Sequence, residues 1–352
     1  RRQRQMCIRD RESTTLYYTE SKGLDEWNKD TKVPFGIADL AVKAADSVYA
    51  VSDDGRVAMF DGSKWPSPNR NIDSTLKEGN TIAVLGDNVL VGGQSGDVAY
   101  SSDGGLTFAE LKDGLPEDGD VFVAFDSYFD TNKVVYAAVA GDDIYRWTIE
   151  ESDEWDEMHA SDVFGEGAGV TYTGIVVERA GNPMTSATTG GALYAAYCNY
   201  NATSYAYQSG VLRCLNPAKD VCCGAEDWDN VYTGLTRNET FDLEPTSLKI
   251  CGCISPDTNS KLFAIDAGTP YYNMTLLEDM IEAANISKIY DPNQGRLWKF
   301  QDCFAKASPV LTAPQDAAVL DSDPCNCWND AFTLKWDRQC DACRYDIQIS
   351  LD

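Results

Sequence analysis

The sequence predicts an all-β chain whose main body is a β-propeller of about six to eight four-stranded blades. Three observations predict it. Groups of four short strands recur along the chain, five times in whole or nearly so, with half a group in front. A tryptophan recurs near the ends of those groups, at Trp27, Trp65, Trp155 and Trp228. One group closes on Ser101-Ser102-Asp103-Gly104-Gly105-Leu106-Thr107-Phe108, a turn rich in the residues that bend a hairpin. Repetition at a fixed period decides the architecture before any single residue is weighed.

The elements follow in order. Arg1 to Arg11 reads RRQRQMCIRDR, and its MCIRDR core resembles a translated sequencing adapter, so residues 1–11 are set aside as an artefact. The natural frame is then expected to extend further upstream. Leu16 to Thr19 and Trp27 read as the last two strands of a first, incomplete blade in a propeller spanning 12–307.

The first full unit runs through Gly36 to Leu40, Ser47 to Val51 and Arg56 to Phe60, and ends at Lys64-Trp65. The second reads Thr81 to Leu85, Asn88 to Val91, Asp97 to Tyr100 and Thr107 to Leu111. The third gives Val121 to Asp126, Val134 to Val139, Asp143 to Thr148 and Trp155. These segments alternate apolar and polar residues and favour Val, Tyr and Phe, as half-buried antiparallel strands do.

Later units are stretched. Gly174 to Glu178, Ala192 to Tyr197, Gly210 to Cys214 and Trp228 form the fourth; Ser247 to Ile250, Lys261 to Ile265 and Gly295 to Phe300 form a fifth without a clear outer strand. Second strands start roughly 40 to 70 residues apart, against about 40 to 50 for common blades, and the excess is loop. Within the last insertion Thr275 to Glu278 reads as a capping box, with Met280, Ile281 and Ala284 at helical spacing behind it.

The Ser101–Phe108 turn resembles the Asp-box of sialidases, sortilin-type receptors and other BNR-repeat propellers. Asp103 is suited to accept hydrogen bonds from turn amides, Gly105 to supply a strained backbone conformation, and Phe108 to pack between sheets. Ser101 and Thr107 complete the motif. The resemblance implies a fastening role, because the box lies away from the ligand face in these families. Degenerate versions are read at Ser21 to Trp27 and Ser52 to Val57.

From Ser308 the pattern changes. Pro314 to Val319, Phe332 to Trp336 and Tyr345 to Ser350 resemble the opening strands of a fibronectin type III or immunoglobulin-like domain. Residues 308–352 would then be the start of a sandwich that continues beyond this sequence.

Charge narrows the partners. Without the five arginines and Asp10 of the first eleven residues, the net charge of −27 becomes −31. Such a chain repels phosphate backbones and anionic membranes, so nucleic acid is not an expected partner. No apolar stretch approaches the roughly 18 residues of a membrane span, so membrane insertion is not expected within this fragment. No cofactor is expected, and calcium has no loop motif behind it.

All cysteines outside the first eleven residues lie in the second half: Cys198, Cys214, Cys222, Cys223, Cys251, Cys253, Cys303, Cys325, Cys327, Cys340 and Cys343. Four glycosylation sequons share that region, at Asn201, Asn238, Asn273 and Asn285. The clustering points to an oxidising, extracellular or cell-surface setting with disulfides pinning long loops. Cys325-x-Cys327 and Cys340-x-x-Cys343 have zinc-like spacings. If residues 331–337 form one strand, it is about 23 Å long and holds the two pairs apart, which favours disulfides over a shared metal.

Catalytic chemistry finds little support. A sialidase needs an arginine cluster, a Tyr–Glu pair and an acid Asp, and no Arg-Ile-Pro tripeptide occurs. His159 is the only histidine and lies in an acidic stretch near Trp155, which disfavours a Ser-His-Asp triad. A glycosidase needs only two facing carboxylates; Asp39 and Asp126, on innermost strands, are the candidates. The leading expectation is a non-enzymatic secreted or surface propeller with an envelope, surface-layer or adhesion role, binding other surface proteins or glycans. Its rival is an extracellular Asp-box glycoside hydrolase acting on polysaccharide.

Overall fold

A computed structural model describes residues 33–44, 46–66, 72–112, 115–164, 170–178, 186–188, 190–201, 206–219 and 227–231. It also describes the backbone of strand segments at 5–6, 16–19, 28–30, 245–250, 260–266, 296–302, 311–313 and 335–336. The chain is a β-propeller. A three-stranded sheet of β1 (Gln5–Met6), β2 (Leu16–Thr19) and β3 (Asn28–Asp30) comes first. Four four-stranded sheets follow: β4 (Ile37–Ala44), β5 (Ser47–Ser52), β6 (Arg56–Phe60) and β7 (Ile72–Asp73); β8 (Gly79–Leu85), β9 (Asn88–Gly93), β10 (Val98–Ser101) and β11 (Ala109–Glu110); β12 (Val121–Phe125), β13 (Val134–Val139), β14 (Ile144–Thr148) and β15 (Asp156–Glu157); β16 (Thr171–Glu178), β17 (Ala192–Asn201), β18 (Ala206–Cys214) and β19 (Trp228–Val231). A three-stranded sheet of β20 (Pro245–Ile250), β21 (Ser260–Asp266) and β22 (Arg296–Asp302) closes the series, and β23 (Leu311–Ala313) pairs with β24 (Lys335–Trp336) beyond it.

Every sheet is an antiparallel meander in chain order. The first strands β4, β8, β12, β16 and β20 contact one another in succession, which makes them an inner ring with the later strands radiating outward. Antiparallel order places the first-to-second and third-to-fourth hairpins of each blade at one end of the molecule. The second-to-third hairpins and the crossings to the next blade lie at the other end.

Second strands differ from the expected alternation. All six residues of β13 are buried. Val135, Ala137 and Val139 pack with Leu90, Val98 and Trp155 toward the preceding blade. Val134, Tyr136 and Ala138 pack with Tyr172, Leu193 and Leu212 of the next. A strand covered on both faces is apolar throughout, and that is how β13 reads.

The outer strand of the first four-stranded sheet is also displaced. It is Ile72–Asp73, not Lys64-Trp65, because Lys64 belongs to the turn that precedes it: Asp61 N–H donates to Lys64 O at 3.2 Å. Gln5–Met6, from the segment set aside in the sequence, pairs with Tyr18 and Thr19. The helix expected at 275–284 and the strands expected at Pro314 to Val319 and Tyr345 to Ser350 lie outside the described residues.

Candidate functional site

Asp126 follows the last residue of inner strand β12 and is fully buried. Tyr128 N–H and Asn132 Nδ2 donate to Oδ1 at 2.7 and 3.0 Å. The Tyr136 hydroxyl and Gly191 N–H donate to Oδ2 at 2.8 and 3.0 Å. An ionised carboxylate offers about four acceptor sites, so this one has none left to face a substrate. Burial, and then the adjacent Asp126 charge, push the Tyr136 phenol well above its usual range, so it stays a donor. The group is a buried knot that holds the β12–β13 connection to the start of the next blade's second strand. Its hydrogen bonds place it in the fabric of the fold, not in a cleft.

Asp39 sits in inner strand β4, and its Oδ2 accepts from Ile82 N–H of β8 at 3.1 Å. It stitches one inner strand to the next. The adjoining blade repeats the device with other chemistry: Thr81 Oγ1 and Asn80 Nδ2 donate to Val121 O of β12 at 2.8 and 3.2 Å. Asp39 thus lies on one inner strand and Asp126 just past the end of another, each with its own bonding partners.

The Ser101–Phe108 turn joins β10 to β11. Asp103 Oδ1 accepts from Leu106 N–H and Thr107 N–H, both at 2.9 Å, and Oδ2 accepts from Thr107 Oγ1 at 2.7 Å. Ser101 Oγ donates to Asp103 Oδ1 at 2.7 Å and accepts from Gly105 N–H at 2.9 Å. The Thr107 hydroxyl, the Thr107 amide and the Ser101 hydroxyl hold the Asp103 carboxyl well below the usual range. Gly104 and Gly105 have φ of 76° and 79°, a region that costs side-chain-bearing residues about 1–2 kcal/mol. Phe108 packs beside Tyr49, Val57 and Val89, between its own sheet and the preceding one.

The Ser52–Val57 segment repeats part of this bonding, with Ser52 Oγ donating to Asp54 Oδ1 and accepting from Arg56 N–H at 2.8 Å, but it joins β5 to β6 and so lies at the opposite end of its blade. The counterpart is Asp61-Gly62-Ser63-Lys64-Trp65, after β6. Asp61 Oδ1 accepts from Ser63 Oγ at 2.6 Å, Lys64 N–H at 2.9 Å and Ser63 N–H at 3.0 Å. The signal was an Asp-Gly followed by a hydroxyl and an aromatic, one residue shorter than in the Asp103 turn. Trp65 packs with Leu16 of the first sheet. Trp155 and Trp228 donate their indole N–H to Leu111 O at 3.2 Å and Met158 O at 2.9 Å, each in the preceding blade.

An acidic group surrounds the only histidine. Asp143 is buried and accepts from the amides of Ile144, Ala160 and Ser161 at 2.6, 2.8 and 3.0 Å. Burial first, then neighbouring acids, raise the Glu157 carboxyl. Burial also raises Asp142, which accepts from the Tyr145 hydroxyl at 3.2 Å. His159 Nδ1 stands 3.6 Å from Glu157 and 3.7 Å from Asp162, half exposed. Among the described residues no group of three or more His, Cys, Asp or Glu side chains is placed to hold a metal.

Two cross-strand pairs escaped the sequence reading. Arg146 in β14 meets Asp156 in β15, and its Nη1 donates to Pro217 O and Lys219 O of the next blade at 3.3 and 2.6 Å. Arg213 in β18 donates to Asp229 in β19 at 2.5 Å in the same register of its own blade. Cys214 is a buried thiol bonded to Asn216 Oδ1 at 3.5 Å, where the sequence suggests a disulfide. Asn201 ends β17, paired with Ala206 at a hairpin tip. The side chains of Asn201, of the other sequon asparagines and of the other cysteines lie outside the described residues.

No protein-family model matches the chain, and a search of curated proteins finds no match. Solved structures are similar. One is YCF48 bound to D1 peptide, 12% identical over 76% of this chain and 87% of that one, with a TM-score of 0.42. Another is the GH74 enzyme of Niastella koreensis, 15% identical with a TM-score of 0.48; the match covers 74% of this chain and 38% of that one. U3-55K is 9% identical over 73% of this chain and 68% of that one, with a TM-score of 0.43. The propeller assignment rests on the sheet order and the inner ring described above.

Proposed function

We propose that this chain is a non-enzymatic propeller of a secreted or surface-displayed protein, acting as a binding scaffold in an envelope, surface layer or adhesion structure. The observation that carries the reading is the fate of its candidate carboxylates. Asp126 is buried under four donors, and Asp39 fastens one inner strand to the next. The Ser101–Phe108 turn is read as an Asp-box, and its internal hydrogen bonds support a fastening role. The cysteine and sequon pattern of the second half supports an extracellular address, with surface proteins or glycans as partners.

The test is reducing-end release from a panel of soluble polysaccharides, run on the full chain beside its Asp39→Asn and Asp126→Asn variants. No release above the blank is expected from any of them. Release that disappears in either variant, with the fold intact by circular dichroism, would replace the scaffold with the glycoside hydrolase.

A further inference from the structure

Among the described residues, the large hydrophobic side chains most open to water are Leu106 at 67%, Val42 at 53%, Met59 at 41% and Leu85 at 37%. All four lie at one end of two adjacent blades, around a single bonded network. Lys43 Nζ and Asp87 Oδ1 meet at 2.7 Å across the first hairpins of those blades. Asp87 O accepts from Gly104 N–H at 2.8 Å, and Gly104 O accepts from the Tyr49 hydroxyl at 3.1 Å. Val42 adjoins Lys43, Leu85 stands two residues from Asp87, and Leu106 stands two residues from Gly104. Met59 faces Tyr49 across the β5–β6 pair. The four water-facing hydrocarbon side chains therefore lie at the same end of these two blades, beside that network.

Resting on the scaffold reading, we propose that this surface docks a basic polypeptide segment in which Leu, Val or Met side chains are interleaved with Lys or Arg. Charge selects that occupant. Among the described residues at this end of the two blades, Asp46, Asp61, Asp87 and Asp103 stand against Lys43 and Lys64, and Lys43 is already paired with Asp87. The chain as a whole carries −27, so a second copy brings like charge to the contact. Side-chain type argues in the same direction. Sugar rings are held by aromatic faces, whereas these four side chains are aliphatic or thioether and match aliphatic partners.

The experiment measures fluorescence anisotropy of a labelled synthetic peptide alternating Lys and Leu against the full chain. A peptide alternating Lys and Gly is the charge-matched control. The Lys–Leu peptide is expected to bind more tightly than the control, and more weakly as salt is raised. Met59→Gln with Leu106→Gln leaves the charge unchanged and should weaken it about tenfold or more, since each side chain removes apolar surface from the contact. Val42→Thr with Leu85→Gln provides an independent pair should the first fail to fold. Equal affinity for the two peptides, or binding unchanged in both double variants, would overturn the proposal. Self-association that these variants abolish would assign the surface to a second copy and overturn the chosen occupant. Polysaccharide cleavage by the same preparation would instead remove the scaffold reading, so the two failures are distinct.

Discussion

Replacing Asp126 separates a structural carboxylate from a catalytic one. In Asp126→Ala the Tyr136 hydroxyl and the Gly191 amide lose their acceptor inside the protein, and Tyr128 N–H and Asn132 Nδ2 lose theirs beside them. A buried donor left without a partner costs about 1–3 kcal/mol, so the two innermost alone set a loss of about 2–6 kcal/mol. Asp126→Asn keeps the shape but turns an NH2 toward one pair of donors. Tyr136 can rotate its hydroxyl to accept and Gly191 N–H cannot, which puts this variant at about 1–3 kcal/mol. Tyr136→Phe removes one donor and leaves the carboxylate three, for about 1 kcal/mol.

Urea unfolding followed by tryptophan fluorescence reads these differences through the shift in midpoint at constant slope. The double variant of Asp126→Ala with Tyr136→Phe should be more stable than the sum of the two losses implies, with a coupling of about 1 kcal/mol or more, because the orphaned hydroxyl is gone. A loss below about 1 kcal/mol in Asp126→Ala would refute the knot, since no intact four-donor site is that tolerant.

Two further predictions concern pH. The Ser63 hydroxyl, followed by the Lys64 and Ser63 amides, holds Asp61 at about 2. Because the folded value is depressed, its contribution is complete above the usual carboxylate value and fades as pH falls toward 2. A carboxyl-carbon NMR titration checks this, and a midpoint at the model-peptide value of about 3.9 would refute the turn. Glu157 has the opposite sign. Burial and Asp143 raise its folded value, so its contribution is present at low pH and is lost as pH rises through the ordinary range into the folded one. Glu157→Gln should therefore raise Tm at pH ~7 and change it little below pH ~4, where the native side chain is protonated too; equal shifts at both pH values would refute the acidic environment.

What the sequence made legible was whatever depends on one strand or one turn. The strands Arg56–Phe60 and Val134–Val139 were readable to the residue because a Gly or a polar pair bounds each hydrophobic run. The Asp103 turn was readable because every donor given for the Asp103 carboxylate lies within the same eight consecutive residues. What depends on contact between blades was not. Thr81 and Asn80 donate to the backbone of Val121, and Trp155 to the backbone of Leu111. A carbonyl acceptor leaves no trace in residue type. Asp126 read as an inner-strand carboxylate because two of its donors, Tyr136 and Gly191, come from well beyond its own turn, one from β13 and one from just before β17. The Lys64-Trp65 segment looked like an outer strand because its aromatic marks the blade end, but Asp61 bends the chain there first.

Part of the chain's acidity has a place in the same turns. Short strands leave many connections, and each connection leaves backbone amides without sheet partners. Carboxylates meet that need: Asp61, Asp103 and Asp143 accept from turn amides, and Asp126 accepts from two amides and two side chains. Neutralisation by N–H dipoles needs no matching cation, so acid residues can accumulate without equal numbers of Lys and Arg. The connections so fastened present their outward side chains in set positions. For Leu106, held by the Asp103 turn, this means hydrocarbon exposed on a rigid support, where little ordering entropy remains to be lost when a partner covers it.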